Sequence, residues 1–366
     1  MKILICAHEY YPKGSGIANL VYHLKNCFLK KGNSVKICSP IGPDYKIGSQ
    51  ILIEKFGGIG IIYFWYKVSK LLEKIADDYD IIYLHNPFLF KKINKKNIIC
   101  VTHTLYYFMY KDFYYKNITL FPYYFLMIFF EFISYRIFLK NFEFVVTSKK
   151  TIKELKFYKI SKIKKVIPNG VNIEKDKKCI KLRTKYYPFK IKNKYKLLFV
   201  GRLEYQKNLF NLLSVYKKIK EKNDKFILIL VGEGKLKNKL IKFCRKNHIE
   251  DCYFIGKVPH KELLSLYNLA DFFVLSSYYE GFPLTLSEAL GSGLIPVLSP
   301  IEIFVEIKEK TKSGIILDFS CHEKSAEKFL NYFNSINIKK ERLKIISIAR
   351  KYYTWEKICQ EYLKLK

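Results

Sequence analysis

Short apolar runs, each closed by polar or turn residues and followed by a helical pattern, recur along this chain in two separate series. That alternation narrows the fold more than any other feature. The first series opens with Lys2 to Ala7, the loop YYPKGSG, a helical pattern from about Ile17 to Lys31 closed by Gly32, and Val35 to Ser39. It continues through IIYLH (81–85), IICVTH (98–103) and FEFVVTS (142–148). The second follows a lysine-rich stretch near 175–195 and contains KLLFVGR (196–202), FILILVGEG (226–234), CYFIGKV (252–258), DFFVLSS (271–277) and GLIPVLS (293–299). Buried strands alternating with helices predict α/β architecture with parallel, doubly wound sheets. Two such series predict two Rossmann-like domains, and 366 residues exceed the roughly 250 at which a single core stops growing. The expected division is 1–175, then 176–345, with 346–366 as a last helix that has no following strand and packs back on the first domain.

Composition sets limits on function. With 49% hydrophobic and 27% charged residues the chain has enough apolar surface to bury, which argues against disorder. The formal charge of +34 is compatible with nucleic acid, with an anionic membrane surface, or with lysines that merely solvate ordinary faces. No helix-turn-helix, zinc-finger or RNP-type signature accompanies it, so specific nucleic-acid binding is not expected. Nine cysteines without a C-x-x-C pair, mostly inside apolar runs, read as buried thiols in a reducing compartment. The opening MKILICAHEY has about five apolar residues before His8 and Glu9, short of a signal-peptide core of roughly 7. A cytoplasmic location is therefore expected.

The chemistry is densest in SSYYEGFPLTLSEALGSGLIP, Ser276 to Pro296. A strand ends there, a Gly and Pro turn follows, and a helix begins near Leu284, so that free backbone N–H groups of Phe282, Leu284 and Thr285, on either side of Pro283, face the strand end. Such a helix terminus suits a diphosphate. Glu280 precedes the turn and Glu288 lies one turn into the helix, so both carboxylates can serve one pocket; alternatively Thr285 and Glu288 form a local capping box. A second cluster, Gly201-Arg202-Leu203-Glu204-Tyr205-Gln206-Lys207, places two cations after a strand. Arg202 and Lys207 can neutralise a leaving diphosphate.

These stretches resemble the retaining GT-B glycosyltransferases of family 4, the group 1 type. The resemblance rests on Gly201-Arg202 with Lys207-Asn208, Val231-Gly232-Glu233-Gly234, Phe254-Ile255-Gly256, and Ala270-Asp271 through Glu280 to Glu288-Ala289, Gly293 and Pro296. Pro168-Asn169-Gly170-Val171 matches the interdomain signature, and Gly14-Ser15-Gly16 the first glycine turn. It implies two Rossmann-like domains facing across a cleft and a sugar transferred from a nucleotide-diphosphate donor, with retention, to a glycan or lipid-linked acceptor. Polysaccharide or glycolipid biosynthesis is the implied setting. It also implies that Glu288 holds the ribose, Glu280 the donor sugar, and Arg202 and Lys207 the diphosphate, with Glu233 also in the donor site. His103 matches the histidine near the reacting sugar, although Thr104 follows it where Asp is frequent, and His85 is its local competitor. Ser299-Pro300 stand where a glycine pair is usual. The resemblance implies no cofactor beyond the donor substrate and no metal, and no Asp-x-Asp ends a strand to bind one. A phosphorylase or a sugar-nucleotide epimerase on the same fold is the alternative.

The segment from Thr104 to Phe144 packs aromatics beside lysines. Its apolar centre, about Leu120 to Phe130, is shorter than the roughly 20 residues of a membrane span. It reads either as a basic aromatic helix that docks peripherally on the inner face of the cell membrane or as a core helix under FEFVVTS.

Overall fold

The computed structural model describes residues 1–13, 16–112, 121–171 and 194–366. They form two compact units, Met1–Gly170 with Trp355–Lys366, and Val171–Thr354. Gly14 and Ser15 of the first glycine turn lie outside the described residues.

The first unit runs β1 (Lys2–Ala7), α1 (Gly16–Lys30), β2 (Ser34–Ser39), β3 (Tyr45–Lys46), α2 (Gln50–Phe56), α3 (Gly58–Ile75), β4 (Ile81–His85), β5 (Ile98–Thr102), α4 (Tyr106–Asp112), α5 (Phe121–Ile133), β6 (Glu143–Val146), α6 (Lys149–Phe157) and β7 (Ile163–Val166). Its strands make one sheet in the order β3-β2-β1-β4-β5-β6-β7, and every pairing is parallel. Ile3 is flanked by Val35 on one side and Ile81 on the other, which puts the first strand mid-sheet. Every residue of β4 and β5 is buried, as a strand covered on both faces requires. α1 turns Ala18, Val21, Leu24 and Phe28 inward. It ends where Gly32, at φ 77°, takes the left-handed conformation, with Gly32 N–H on Leu29 C=O and Asn33 N–H on Phe28 C=O.

The second unit runs β8 (Tyr195–Val200), α7 (Leu209–Lys222), β9 (Phe226–Val231), α8 (Lys237–Lys246), β10 (Cys252–Gly256), α9 (His260–Leu269), β11 (Phe272–Leu275), α10 (Leu284–Gly291), β12 (Ile295–Leu298), α11 (Glu302–Thr311), β13 (Ile315–Ile316), α12 (His322–Ser335) and α13 (Ile338–Tyr352). Its sheet is again fully parallel, ordered β10-β9-β8-β11-β12-β13. β9 is buried along its whole length. Residues 346–352 continue α13, whose Ile345 and Ala349 are buried in this unit's core.

The chain then changes unit. Val171 N–H donates to Tyr353 C=O, and Trp355 begins α14 (Trp355–Leu363) against the first unit. Trp355 stacks on His23 of α1 at 4.7 Å, and a Cβ on Gly170 would collide with the Trp355 ring. Tyr83 in β4 donates to Tyr362 C=O at 2.7 Å, so α14 is bonded to the sheet's centre.

The aromatic segment is longer than its apolar centre and only partly buried. α5 continues as a π-helical turn through Ser134–Phe138, eight residues beyond the expected apolar centre. One face is buried through Tyr124, Met127, Glu131, Ser134 and Tyr135, while Phe121, Phe125, Phe129, Phe132 and Ile137 are exposed. Its 18 residues are apolar enough by composition to cross a membrane. The buried anchors instead lay it along the surface of the unit. Among the described cysteines most are buried or partly so, and Cys321 is exposed.

Candidate active site

In an open parallel sheet, ligands sit beyond the carboxyl ends of the strands where the strand order reverses. The second sheet reverses between β8 and β11. The segments that leave those two strands are Gly201 to Lys207 and Ser276 to Glu280, the same two that carry the sequence signal.

Those segments are stitched together. Ser276 Oγ donates to Lys207 C=O at 2.7 Å, Gln206 Nε2 to Tyr279 C=O at 2.7 Å, and Tyr278 N–H to Gln206 C=O. The result is one ion pair: Lys207 Nζ lies 2.5 Å from Glu280 Oε1, with the side chains 13% and 9% exposed. Ser277 Oγ donates to the same carboxylate oxygen at 2.7 Å, and Ser299 Oγ donates to Ser277 C=O at 2.6 Å. The serine at the position where the family favours glycine thus braces the residue that braces Glu280. Close backbone approach needs glycine at 232 and 234, where a Cβ would strike Gly201 C=O and Leu203 C=O respectively.

α10 opens at Pro283, which makes no side-chain cap bond, and no acidic residue lies in its first turn. Thr285 is inside the helix and is not its N-cap, so the capping-box alternative does not form. Glu288 instead accepts from Tyr267 OH at 2.9 Å. Burial and then the Glu288 charge hold the Tyr267 hydroxyl well above its usual range, so it remains a donor. The α10 terminus therefore joins a buried cation–carboxylate pair at the switch point.

Two predicted residues pair with near neighbours in the chain. Arg202 is 65% exposed and reaches Glu204 at 3.2 Å, and Glu233 pairs with Lys237 at 2.6 Å one helical turn on. Ser277 and Tyr267 are functional candidates that residue patterns did not single out, while Gln206 lies within the second sequence cluster and Ser299 stands where a glycine pair is usual. Ser277 had a weak local signal, three residues before Glu280.

The first sheet reverses between β1 and β4. The residues at its strand ends are His8 and Glu9 after β1, His85 and Asn86 at the end of β4, and His103 after β5. All three histidines are buried. His85 Nδ1 lies 2.9 Å from His103 Nε2, and His103 N–H donates to Asn86 Oδ1 at 2.7 Å. Burial, with His8 second, lowers His103 to about 3, so its ring is neutral across the physiological range. The two histidines that competed in the sequence are therefore one bonded pair.

Comparison with known proteins draws these observations together. The family model described as Glycosyltransferase Family 4 matches residues 14–175, and that described as Glycosyl transferases group 1 matches residues 187–352. The chain belongs to the group 1, family 4 glycosyltransferases. An uncharacterised glycosyltransferase of Methanocaldococcus jannaschii is 29% identical over 62% of this chain and 58% of its own length. The alpha-monoglucosyldiacylglycerol synthase of Streptococcus pneumoniae is 27% identical over 82% of this chain and 71% of its own. Among solved structures, WaaG, a glycosyltransferase involved in lipopolysaccharide biosynthesis, superposes with a TM-score of 0.71 at 15% identity, covering 99% of both chains. The Anabaena HepE complex with UDP-glucose superposes with a TM-score of 0.66 at 15% identity, over 100% of this chain and 98% of that one. The last two likenesses establish the GT-B type of fold, two parallel-sheet α/β domains.

Proposed function

We propose that this glycosyltransferase moves a sugar from a nucleotide-diphosphate donor to a glycan or lipid-linked acceptor, with the anomeric configuration retained and without a metal ion. The observation behind this reading is the buried Lys207–Glu280 pair at the switch point, beside a helix terminus that no side chain caps. Lys207, Arg202 and the N–H groups of Phe282, Leu284 and Thr285 hold the diphosphate, Glu280 contacts the sugar and Glu288 the ribose. In the transfer, the bond from the anomeric carbon to the phosphate oxygen breaks and a bond from that carbon to the acceptor oxygen forms on the same face. The acceptor's proton passes to the departing phosphate. Preorganised cations stabilise the charge that develops on the leaving group, the role otherwise taken by a metal. Among the described residues no group of three His, Cys, Asp or Glu is placed to hold a metal ion.

We further place the working enzyme on an anionic membrane surface at the cytoplasmic side. Supporting this, α5 exposes Phe121, Phe125, Phe129 and Phe132, and α3, which packs against it, exposes Ile59, Tyr63 and Tyr66, with Lys67 over the Tyr63 ring at 5.5 Å and Lys70 over the Tyr66 ring at 4.4 Å.

A thermal-shift panel of nucleotide sugars tests the donor assignment. A matched donor at 100 times its Kd stabilises by about 2.7 kcal/mol through mass action. The expected result is a rise in melting temperature with one or a few donors that is lost in R202A; no shift with any donor would contradict the reading.

A further inference from the structure

The two switch-point histidines form an arrangement that the proposed reaction leaves unexplained. His85 Nδ1 and His103 Nε2 are 2.9 Å apart, their ring planes differ by 12°, and their centroids are 5.2 Å apart. That combination puts the contact edge to edge, so a single proton lies between the two nitrogens. If His103 supplied it, His85 would carry its own proton on Nε2, and that atom is buried with no partner among the described residues. An unpaired buried donor is costly, whereas an under-used acceptor is better tolerated. The lower-energy arrangement has His85 Nδ1–H donating to a bare His103 Nε2, which leaves the His103 proton on Nδ1.

Asn86 completes the setting. It sits at φ 50°, a left-handed conformation that asparagine tolerates, and its N–H donates to Val101 C=O. Its Oδ1 accepts the His103 backbone N–H, and its Nδ2 donates to Thr104 Oγ1 at 3.5 Å. One amide thereby holds both His103 and the threonine that stands where Asp is frequent. Burial keeps both rings uncharged: His85 is lowered well below its usual range by burial first, then by His103 and His8.

We propose that His85 and Asn86 are positioning residues that fix His103 in the Nδ1–H tautomer, so that His103 works as a hydrogen-bond donor to the reacting sugar and not as a base. This rests on the reading of His103 as a site residue. It also adds a requirement: the sugar group that His103 meets must be an acceptor, such as a hydroxyl or ring oxygen.

Long-range ¹H–¹⁵N correlation spectra of the histidine-labelled full chain read the tautomer directly, with H103Q assigning the His103 signals. The wild type is expected to show a protonated Nδ1 and a bare Nε2 on His103; the reverse pattern would overturn the proposal. H85N retains an amide donor where Nδ1 stood, and should keep the tautomer and most of the turnover. H85F removes the donor, and should shift the tautomer and lower kcat by about 100-fold with donor KM changed far less. An unchanged His103 tautomer in H85F would also overturn it. Unchanged turnover in H103Q would instead refute the site reading, while the tautomer assignment stands or falls by the spectra alone.

Discussion

Lys207 is 13% exposed against Glu280 while Arg202 is 65% exposed, and this difference separates two consequences of losing a cation. R202A should lower turnover about 100-fold and leave the melting temperature unchanged, because it removes charge from the leaving group and nothing from the core. K207A should lower turnover at least as much and also destabilise by about 3 kcal/mol, because it leaves Glu280 buried without its cation. Kinetics and thermal melts of the two variants check this, and unchanged turnover in both would remove the diphosphate assignment. Both cations and both glutamates were legible from strand-end and helix-start patterns, since their residue types are unusual at those places. The bonds between them were not legible. Lys207 and Glu280 are 73 positions apart, and only the adjacency of β8 and β11 brings them together. Ser277, Tyr267 and Asn86 are ordinary residues in sequence and acquire roles only through what they touch.

At the scale of elements, the joint between α4 and α5 has a titratable centre. Glu131 is buried and accepts from the N–H groups of Tyr106 and Tyr107, at 2.6 and 3.1 Å, and from Tyr158 OH. It therefore joins α5 to the first turn of α4 and to the end of α6. Burial pushes its carboxyl from 4.5 up to about 7, against the pull of those three donors. Between those values the folded chain keeps a proton that the unfolded chain releases, so this contribution is complete below about pH 4.5 and is lost as pH rises through 7. The stability of the wild type relative to E131Q should accordingly fall by about 3 kcal/mol from pH 4.5 to 8. Trp65 and Trp355 both lie in this unit, so tryptophan fluorescence in urea at several pH values reads it. A pH-independent difference between the two chains would contradict the assignment. The longer strands and α10 were legible because their apolar runs end in recognisable turn residues. β3 and β13 have two residues each and carry no periodic signal, and β7, IKKV, alternates too weakly to stand out. The helix from Phe121 extends past the apolar centre near Phe130, where a π turn keeps Ser134 and Tyr135 inward.

Each unit repeats one plan: a parallel sheet whose order reverses at its first strand, with candidate site residues at the strand ends beside that reversal. This much was readable from two series of strand and helix patterns, because parallel sheets leave a near-continuous apolar signature. The point at which the chain returns to the first unit depends on Trp355 stacking on His23, a contact with no local signal. Surface behaviour belongs to the same scale. The exposed aromatic face of α5 and the basic residues near it predict sedimentation with anionic vesicles at low salt and release at moderate salt, each lysine contributing about 1 kcal/mol. A variant with Lys111, Lys116 and Lys140 changed to Gln should sediment less, Lys116 lying outside the described residues. A wild type that stays in the supernatant at low salt would favour a soluble acceptor.

NMR of the reaction mixture tests the sugar transfer most directly. The purified chain is incubated in excess EDTA with the nucleotide sugar that stabilises it, with and without acceptor, and both products are identified. The expected products are free nucleoside diphosphate and a sugar product that keeps the donor's anomeric configuration, with activity undiminished by EDTA. An inverted product, a sugar phosphate, an epimerised nucleotide sugar, or activity that chelation abolishes and manganese restores would contradict it.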